Sequence, residues 1–217
     1  MSLYYVALGD SLTVGVGTTL FTPGFVYRYA NKSERHVQEA IFYQTCAETG
    51  ATSKEILDSL NYRSVQRKIR QANIITITAG GNDLIQAARI YENTKDETVF
   101  FKSLSSAKQN MTLMINKITA LKQNIKGQRY IIRILNLYNP LPTISVANKW
   151  IDQYNHHLSQ LTSHPHVLVA NINRVFKGHE KQLLSKDHIH PNDLGYERMA
   201  IALEQLGYRE LMKPANE

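Results

Sequence analysis

Three short stretches of the chain carry side chains whose types and spacing could do chemistry together. Gly9-Asp10-Ser11-Leu12-Thr13 offers a hydroxyl beside a glycine, and Gly80-Gly81-Asn82-Asp83 offers a neutral amide donor behind two glycines. Asp187-His188-Ile189-His190-Pro191-Asn192 places a carboxylate three residues before an imidazole. At that separation a turn or a single helical winding lets Asp187 meet His190, fix its tautomer and stabilise the imidazolium that forms during reaction. A nucleophile, a base, an orienting acid and donors aimed at a developing oxyanion are the parts acyl transfer needs. That chemistry requires no cofactor.

Each stretch alone also has a plainer reading. Ser11 suits a helix N-cap, and Gly-Gly-Asn-Asp is good turn chemistry. His188-Ile189-His190 has the spacing of a metal-ligand pair that Asp187 could join. No further His/Asp/Glu cluster stands at another strand end, so no metal is expected. Gly50, within Glu48-Thr49-Gly50-Ala51-Thr52-Ser53, could turn its backbone N–H into the same space.

The elements that must position these groups follow from hydrophobic periodicity. Short apolar runs at Leu3–Leu8, Ala40–Cys46, Ile74–Thr78, Arg129–Leu135 and Val167–Ala170 read as strands, several apolar almost throughout, as strands covered on both faces are. Between them apolar residues recur every three or four positions. One stripe runs through Leu104, Ala107, Met111, Met114, Ile115, Ile118 and Leu121, and another through Val146, Trp150, Ile151, Tyr154, Leu158 and Leu161. Gly195–Leu206 reads as a last amphipathic helix. Strand–helix alternation implies a parallel sheet with helices on both faces, whose active site lies at the carboxyl ends of the strands. Ser11, Gly50 and Asn82 all follow strands. The polar stretch between Arg89 and Phe101 reads as a mobile loop, and the sequence does not say whether it acts as a lid.

Length and composition agree with one domain over 1–217, its core spanning about 3–209. The 217 residues are 43% hydrophobic and 20% charged, so the bulk of the chain is not disordered. A formal charge of +7 favours peripheral contact with anionic surfaces. The basic residues are scattered, however, and Arg63, Arg67, Lys68 and Arg70 read as a solvated helix face, so nucleic acid is not an expected partner. Cys46 is the single cysteine, which rules out an internal disulfide, and it reads as a small core residue. No apolar run is long enough to cross a bilayer, and no basic n-region with an apolar h-region heads the sequence.

In order and spacing, Gly9-Asp10-Ser11-Leu12, Gly50, Gly80-Gly81-Asn82-Asp83 and Asp187-x-x-His190-Pro191 resemble the four blocks of the SGNH (GDSL) hydrolases, over nearly the whole chain. The second block departs from the family pattern, which carries an Asn a few residues ahead of its glycine. Here that region reads Thr45-Cys46-Ala47-Glu48-Thr49-Gly50. The resemblance implies an α/β fold, a three-layer α/β/α sandwich on a small parallel, flavodoxin-like sheet. It implies a serine ester hydrolase with Ser11 as nucleophile, His190 as general base and Asp187 as third member of the triad. The oxyanion hole would be the backbone N–H groups of Ser11 and Gly50 and the side-chain amide of Asn82, with Asp10 and Asp83 bracing their loops. Within the family the chain is similar to small lipases and esterases of Bacillus-type bacteria, including the spore-associated lipases of germination. Asn136-Leu137-Tyr138-Asn139-Pro140 supports that likeness, and Tyr138 is either a substrate-pocket residue or a packed loop aromatic. The implied substrate is an acyl lipid or phospholipid, with carbohydrate O-deacetylase or thioesterase activity as the alternative and a non-catalytic lipid- or glycan-binding module as a lesser one. The expected location is cytoplasmic, or spore-associated by the same likeness.

Overall fold

The computed structural model describes residues 2–123, 125, 127–140 and 145–212. Among them five strands, β1 (Leu3–Gly9), β2 (Ile41–Ala47), β3 (Ile74–Ile77), β4 (Ile131–Leu135) and β5 (Val167–Ala170), form one sheet in the order β2-β1-β3-β4-β5. Every pairing is parallel. Among the described residues ten α-helices connect and cover it: α1 (Ser11–Val14), α2 (Phe25–Val37), α3 (Ser53–Ser59), α4 (Arg63–Gln71), α5 (Gly81–Thr94), α6 (Thr98–Gln123), α7 (Ser145–Gln160), α8 (Ile172–Phe176), α9 (Glu180–Leu183) and α10 (Asp193–Glu204).

Successive strand residues face opposite sides of a sheet, and that period of two divides the core into two layers. Val6 and Leu8 of β1, Ile75 and Ile77 of β3, and Ile132 and Ile134 of β4 pack under α3 to α7. Leu3, Tyr5 and Ala7, with Ile74, Ile131 and Leu135, pack under α2, α8 and α10. The result is the three-layer α/β/α sandwich that the sequence implied. All residues of β3 and β4 are buried, as strands covered on both faces are, Thr76 and Arg133 included. Strand β2 differs: it is an edge, and Phe42 and Tyr43 stand 59% and 43% exposed. Cys46, near its end, is half-buried with Lys68 Nζ 3.7 Å from its sulfur, so it borders the core and is not sealed in it. Helix α4 buries only Val65 and Ile69, leaving Arg63, Arg67 and Arg70 exposed, the solvated face its pattern indicated.

The stretch 89–101 corrects the sequence reading. Helix α5 continues to Thr94 and α6 begins at Thr98, so only residues 95–97 lie between them and no lid-length loop exists there. Its polar residues finish and start helices: Asn93 and Thr94 donate to the carbonyls of Arg89 and Ile90, and Asp96 accepts the N–H and hydroxyl of Thr98.

Gly80 marks where β3 turns into α5. Its φ is +102°, and a Cβ there would stand 2.5 Å from Tyr154 Cζ of α7, whose hydroxyl donates to the Ala79 carbonyl. A left-handed backbone and an aromatic wall together demand glycine. Gly80→Ala is expected to lower unfolding stability by about 2–4 kcal/mol, from backbone strain plus overpacking. Urea unfolding checks this. A midpoint equal to wild type would show that the turn relaxes freely.

Candidate active site

Ser11 is the first residue of α1, directly beyond the sheet. Asp10 caps this helix, its Oδ1 accepting the Leu12 N–H at 3.0 Å and the Thr78 hydroxyl at 2.9 Å. Thr78 also accepts the Asp10 N–H at 3.3 Å and lies 2.9 Å from the Thr13 hydroxyl. The segment carrying Ser11 is thus tied to the end of β3 by two threonines and one carboxylate. Asp10 is 3% exposed, and burial raises its pKa above the ordinary carboxyl value even though Thr78 and Leu12 donate to it. Both bonds to Oδ1 come from the loop and the end of β3, as a brace requires.

His190 lies in the turn before α10. Its Nε2 is 2.9 Å from Ser11 Oγ, and its Nδ1 is 2.6 Å from Asp187 Oδ2. The other carboxylate oxygen, Oδ1, accepts the N–H groups of Ile189 and His190, both at 2.9 Å, and the Ser185 hydroxyl at 2.8 Å. One carboxylate therefore orients the ring and folds the loop that carries it. Partial desolvation opposes ionisation of Asp187, but the donations from His190, Ile189 and Ser185 outweigh it and hold the carboxyl far below its ordinary range. The loop is closed further by Ser185 N–H donating to the His190 carbonyl at 2.7 Å and by a bridge between Leu184 and Pro191. His188, its backbone in the left-handed region, is exposed and stands outside this arrangement.

The third stretch joins through Asp83. Its carboxylate accepts the Ser53 N–H at 2.8 Å and the Ser53 hydroxyl at 2.6 Å, linking the start of α5 to the start of α3. Asn110 of α6 donates to the same Ser53 hydroxyl at 3.0 Å. This tie holds the 48–52 loop beside Asn82, whose Nδ2 donates to the Ala51 carbonyl at 2.9 Å. Gly50, with φ +84°, is exposed in that loop. Because Glu48 N–H donates to the Gly9 carbonyl and Thr78 N–H to the Leu8 carbonyl, the ends of β2 and β3 flank the end of β1. Gly50 and Asn82 thus follow the two strands that neighbour β1, and the Asn82–Ala51 bond joins their segments.

Tyr138 takes the packed alternative. It is 8% exposed, its ring stacks on Phe176 at 4.1 Å, and its hydroxyl donates to the Ile189 carbonyl at 2.6 Å. The residue steadies the His190 turn and leaves little surface for a substrate. Sequence reasoning missed that role, as it missed Thr78, Ser53, Asn110 and Ser185. All are ordinary polar residues whose partners are mostly distant in the chain. A cleft of about 690 Å³ between β5, α8, α9 and α10 contains none of Ser11, Gly50, Asn82, Asp187 or His190. Among the described residues no group of three or more His, Cys, Asp or Glu is placed to hold a metal, and no helix is long and apolar enough to cross a membrane.

A hydroxyl bonded to an imidazole that is bonded in turn to a carboxylate, set at the strand ends of a parallel sheet, is the geometry of serine hydrolases. Residues 7–198 match the model of the GDSL-like lipase/acylhydrolase family, and the chain belongs to that family of ester hydrolases. It is 47% identical over 211 residues to the spore germination lipase LipC of Bacillus licheniformis, covering 97% of this chain and 99% of that protein. The crystal structure of the lipase Lip_vut3 from a goat rumen metagenome, also 47% identical, superposes with a TM-score of 0.90 over 95% of this chain and 98% of its own. The acetylxylan esterase Axe2 of Geobacillus stearothermophilus shares the fold at 16% identity, with a TM-score of 0.72 over 98% and 97% of the two chains.

Asp187→Asn is expected to keep the backbone bonds to Oδ1 but to present a donor to Nδ1, favouring the wrong tautomer and lowering kcat about 10³–10⁴-fold. The same variant tests proton linkage. A depressed folded pKa means the unfolded chain binds the proton first, so the Asp187 contribution is fully present above about pH 4 and drains away as pH falls. Thermal melts from pH 6 to pH 2 should show a shallower acid decline for the variant than for wild type. Parallel declines would mean that the carboxylate carries no linked stability.

Proposed function

We propose that this chain hydrolyses acyl-lipid esters by a two-step acyl-enzyme route through Ser11, His190 and Asp187. The 2.9 Å contact between His190 Nε2 and Ser11 Oγ carries the reading. Ser11 Oγ attacks the ester carbonyl as His190 takes its proton, and Asp187 steadies the imidazolium. The backbone N–H groups of Ser11 and Gly50 and the Asn82 amide receive the oxyanion. His190 then protonates the leaving alcohol, and water releases the acyl group by the same steps. Asn82 suits its role because Nδ2 has two hydrogens: one, donated to Ala51, fixes the amide, and the other remains for substrate.

For substrate, the likeness to a spore germination lipase favours acyl lipids and a spore-associated role in germination, and the formal charge of +7 suits anionic phospholipid among them. Sugar O-acetyl esters are the competing substrate, and activity confined to them would replace the lipid assignment.

A p-nitrophenyl acyl series, run beside a phospholipid, tests the proposal. Ser11→Ala should abolish hydrolysis throughout. Asn82→Ala should lower kcat about a hundredfold, close to 3 kcal/mol of transition-state stabilisation. Equal turnover by wild type and Ser11→Ala would sink the mechanism, and full kcat in Asn82→Ala would remove Asn82 from the oxyanion hole.

A further inference from the structure

Between α1 and α2 the chain makes a turn at Thr19-Leu20-Phe21-Thr22. Thr22 N–H donates to the Thr19 carbonyl at 3.0 Å, and the two threonine hydroxyls lie 2.8 Å apart. Asp193, the first residue of α10, staples the turn: Oδ1 accepts the Thr19 N–H at 3.0 Å and Oδ2 the Thr19 hydroxyl at 2.5 Å. Just upstream, Tyr196 donates to the Val16 carbonyl at 2.6 Å, and a Cβ on Gly17 would stand 2.9 Å from the Cβ of His190. The turn is thus fixed beside the Ser11–His190 pair while contributing nothing to it.

What it holds out is apolar. Leu20 is 82% exposed and Phe21 95% exposed. Phe21 also has φ +66°, at the turn position where glycine sits without strain. A bulky residue there costs backbone energy and, so exposed, recovers almost none of it by packing. Ile189, the chain neighbour of His190, is a further apolar side chain at 40% exposure.

We propose that this turn is a lipid anchor, in which Leu20 and Phe21 enter the headgroup–acyl boundary of an anionic bilayer and hold the mouth above Ser11 against it. The inference rests on the acyl-lipid reading above, and the +7 charge complements anionic headgroups. A second copy of the chain fits less well, since two side chains offer far less than the roughly 800 Å² per partner of a stable protein interface.

The test uses vesicles of phosphatidylglycerol and phosphatidylcholine, with Ser11→Ala as the starting protein so that binding is read without hydrolysis. Adding Leu20→Ser and Phe21→Ser should weaken co-sedimentation at least about tenfold, given the apolar area involved. With Ser11 intact, the same pair should leave kcat/KM on dissolved p-nitrophenyl acetate unchanged. Phe21→Gly should melt no lower than wild type, which separates anchoring from folding. Unchanged vesicle binding would overturn the proposal, as would loss of p-nitrophenyl acetate hydrolysis or a wild-type dimer that the double change turns into monomer. If the intact protein bound vesicles through this turn yet hydrolysed no ester, the anchor would stand and the functional reading would fall.

Discussion

The 2.9 Å contact between Ser11 Oγ and His190 Nε2 joins segments 179 positions apart, and no local structure can hold it. Each partner is fixed by its own framework. Ser11 stands at the end of β1, which is paired on both sides along most of its length, so its position is that of the sheet. His190 stands in a turn closed by Asp187, the Leu184–Pro191 bridge and the Tyr138 hydroxyl, and that turn runs into α10, packed on the sheet beside α2. A shift of one ångström in either framework would separate the Ser11 hydroxyl from the imidazole. The close-packed layer between α10 and the sheet is what prevents it.

Three motif carboxylates show how environment sets role. Asp10 is buried and its ionisation disfavoured, and its bonds go to Leu12 and Thr78. Asp83 is buried against Ser53 and joins α3 to α5. Asp187 is held in its charged form by four donors, one of them the imidazole beside Ser11. All three carry the same functional group, yet only Asp187 bonds to His190. The other two spend their acceptors on keeping the loops of the site in register.

Periodicity revealed the strands and most of the long helices because each face of an element either touches the core or does not, and residue type records that difference. It was weaker at edges and helix ends. Strand β2 carries apolar residues on an exposed side, where an edge strand lacks a covering neighbour. The 89–101 stretch is polar because its residues cap helices and face water, and polarity alone resembles a loop. Cys46 sits among apolar neighbours in sequence, but the edge position of β2 leaves it half-buried.

By itself, the sequence determined the strand–helix alternation, the parallel sheet and the grouping of Ser11, Gly50 and Asn82 at strand ends. It also paired Asp187 with His190, because a separation of three residues brings side chains together in any tight turn. Tertiary structure alone decided which polar residues brace the site. Thr78, Ser53, Asn110 and Tyr138 meet partners whose spacing follows no short-range rule, so nothing in their neighbourhood marks them. It also decided that Tyr138 packs on Phe176, and that Leu20 and Phe21 stand uncovered. Exposure is a property of what the rest of the chain fails to cover, and only the folded whole contains that information.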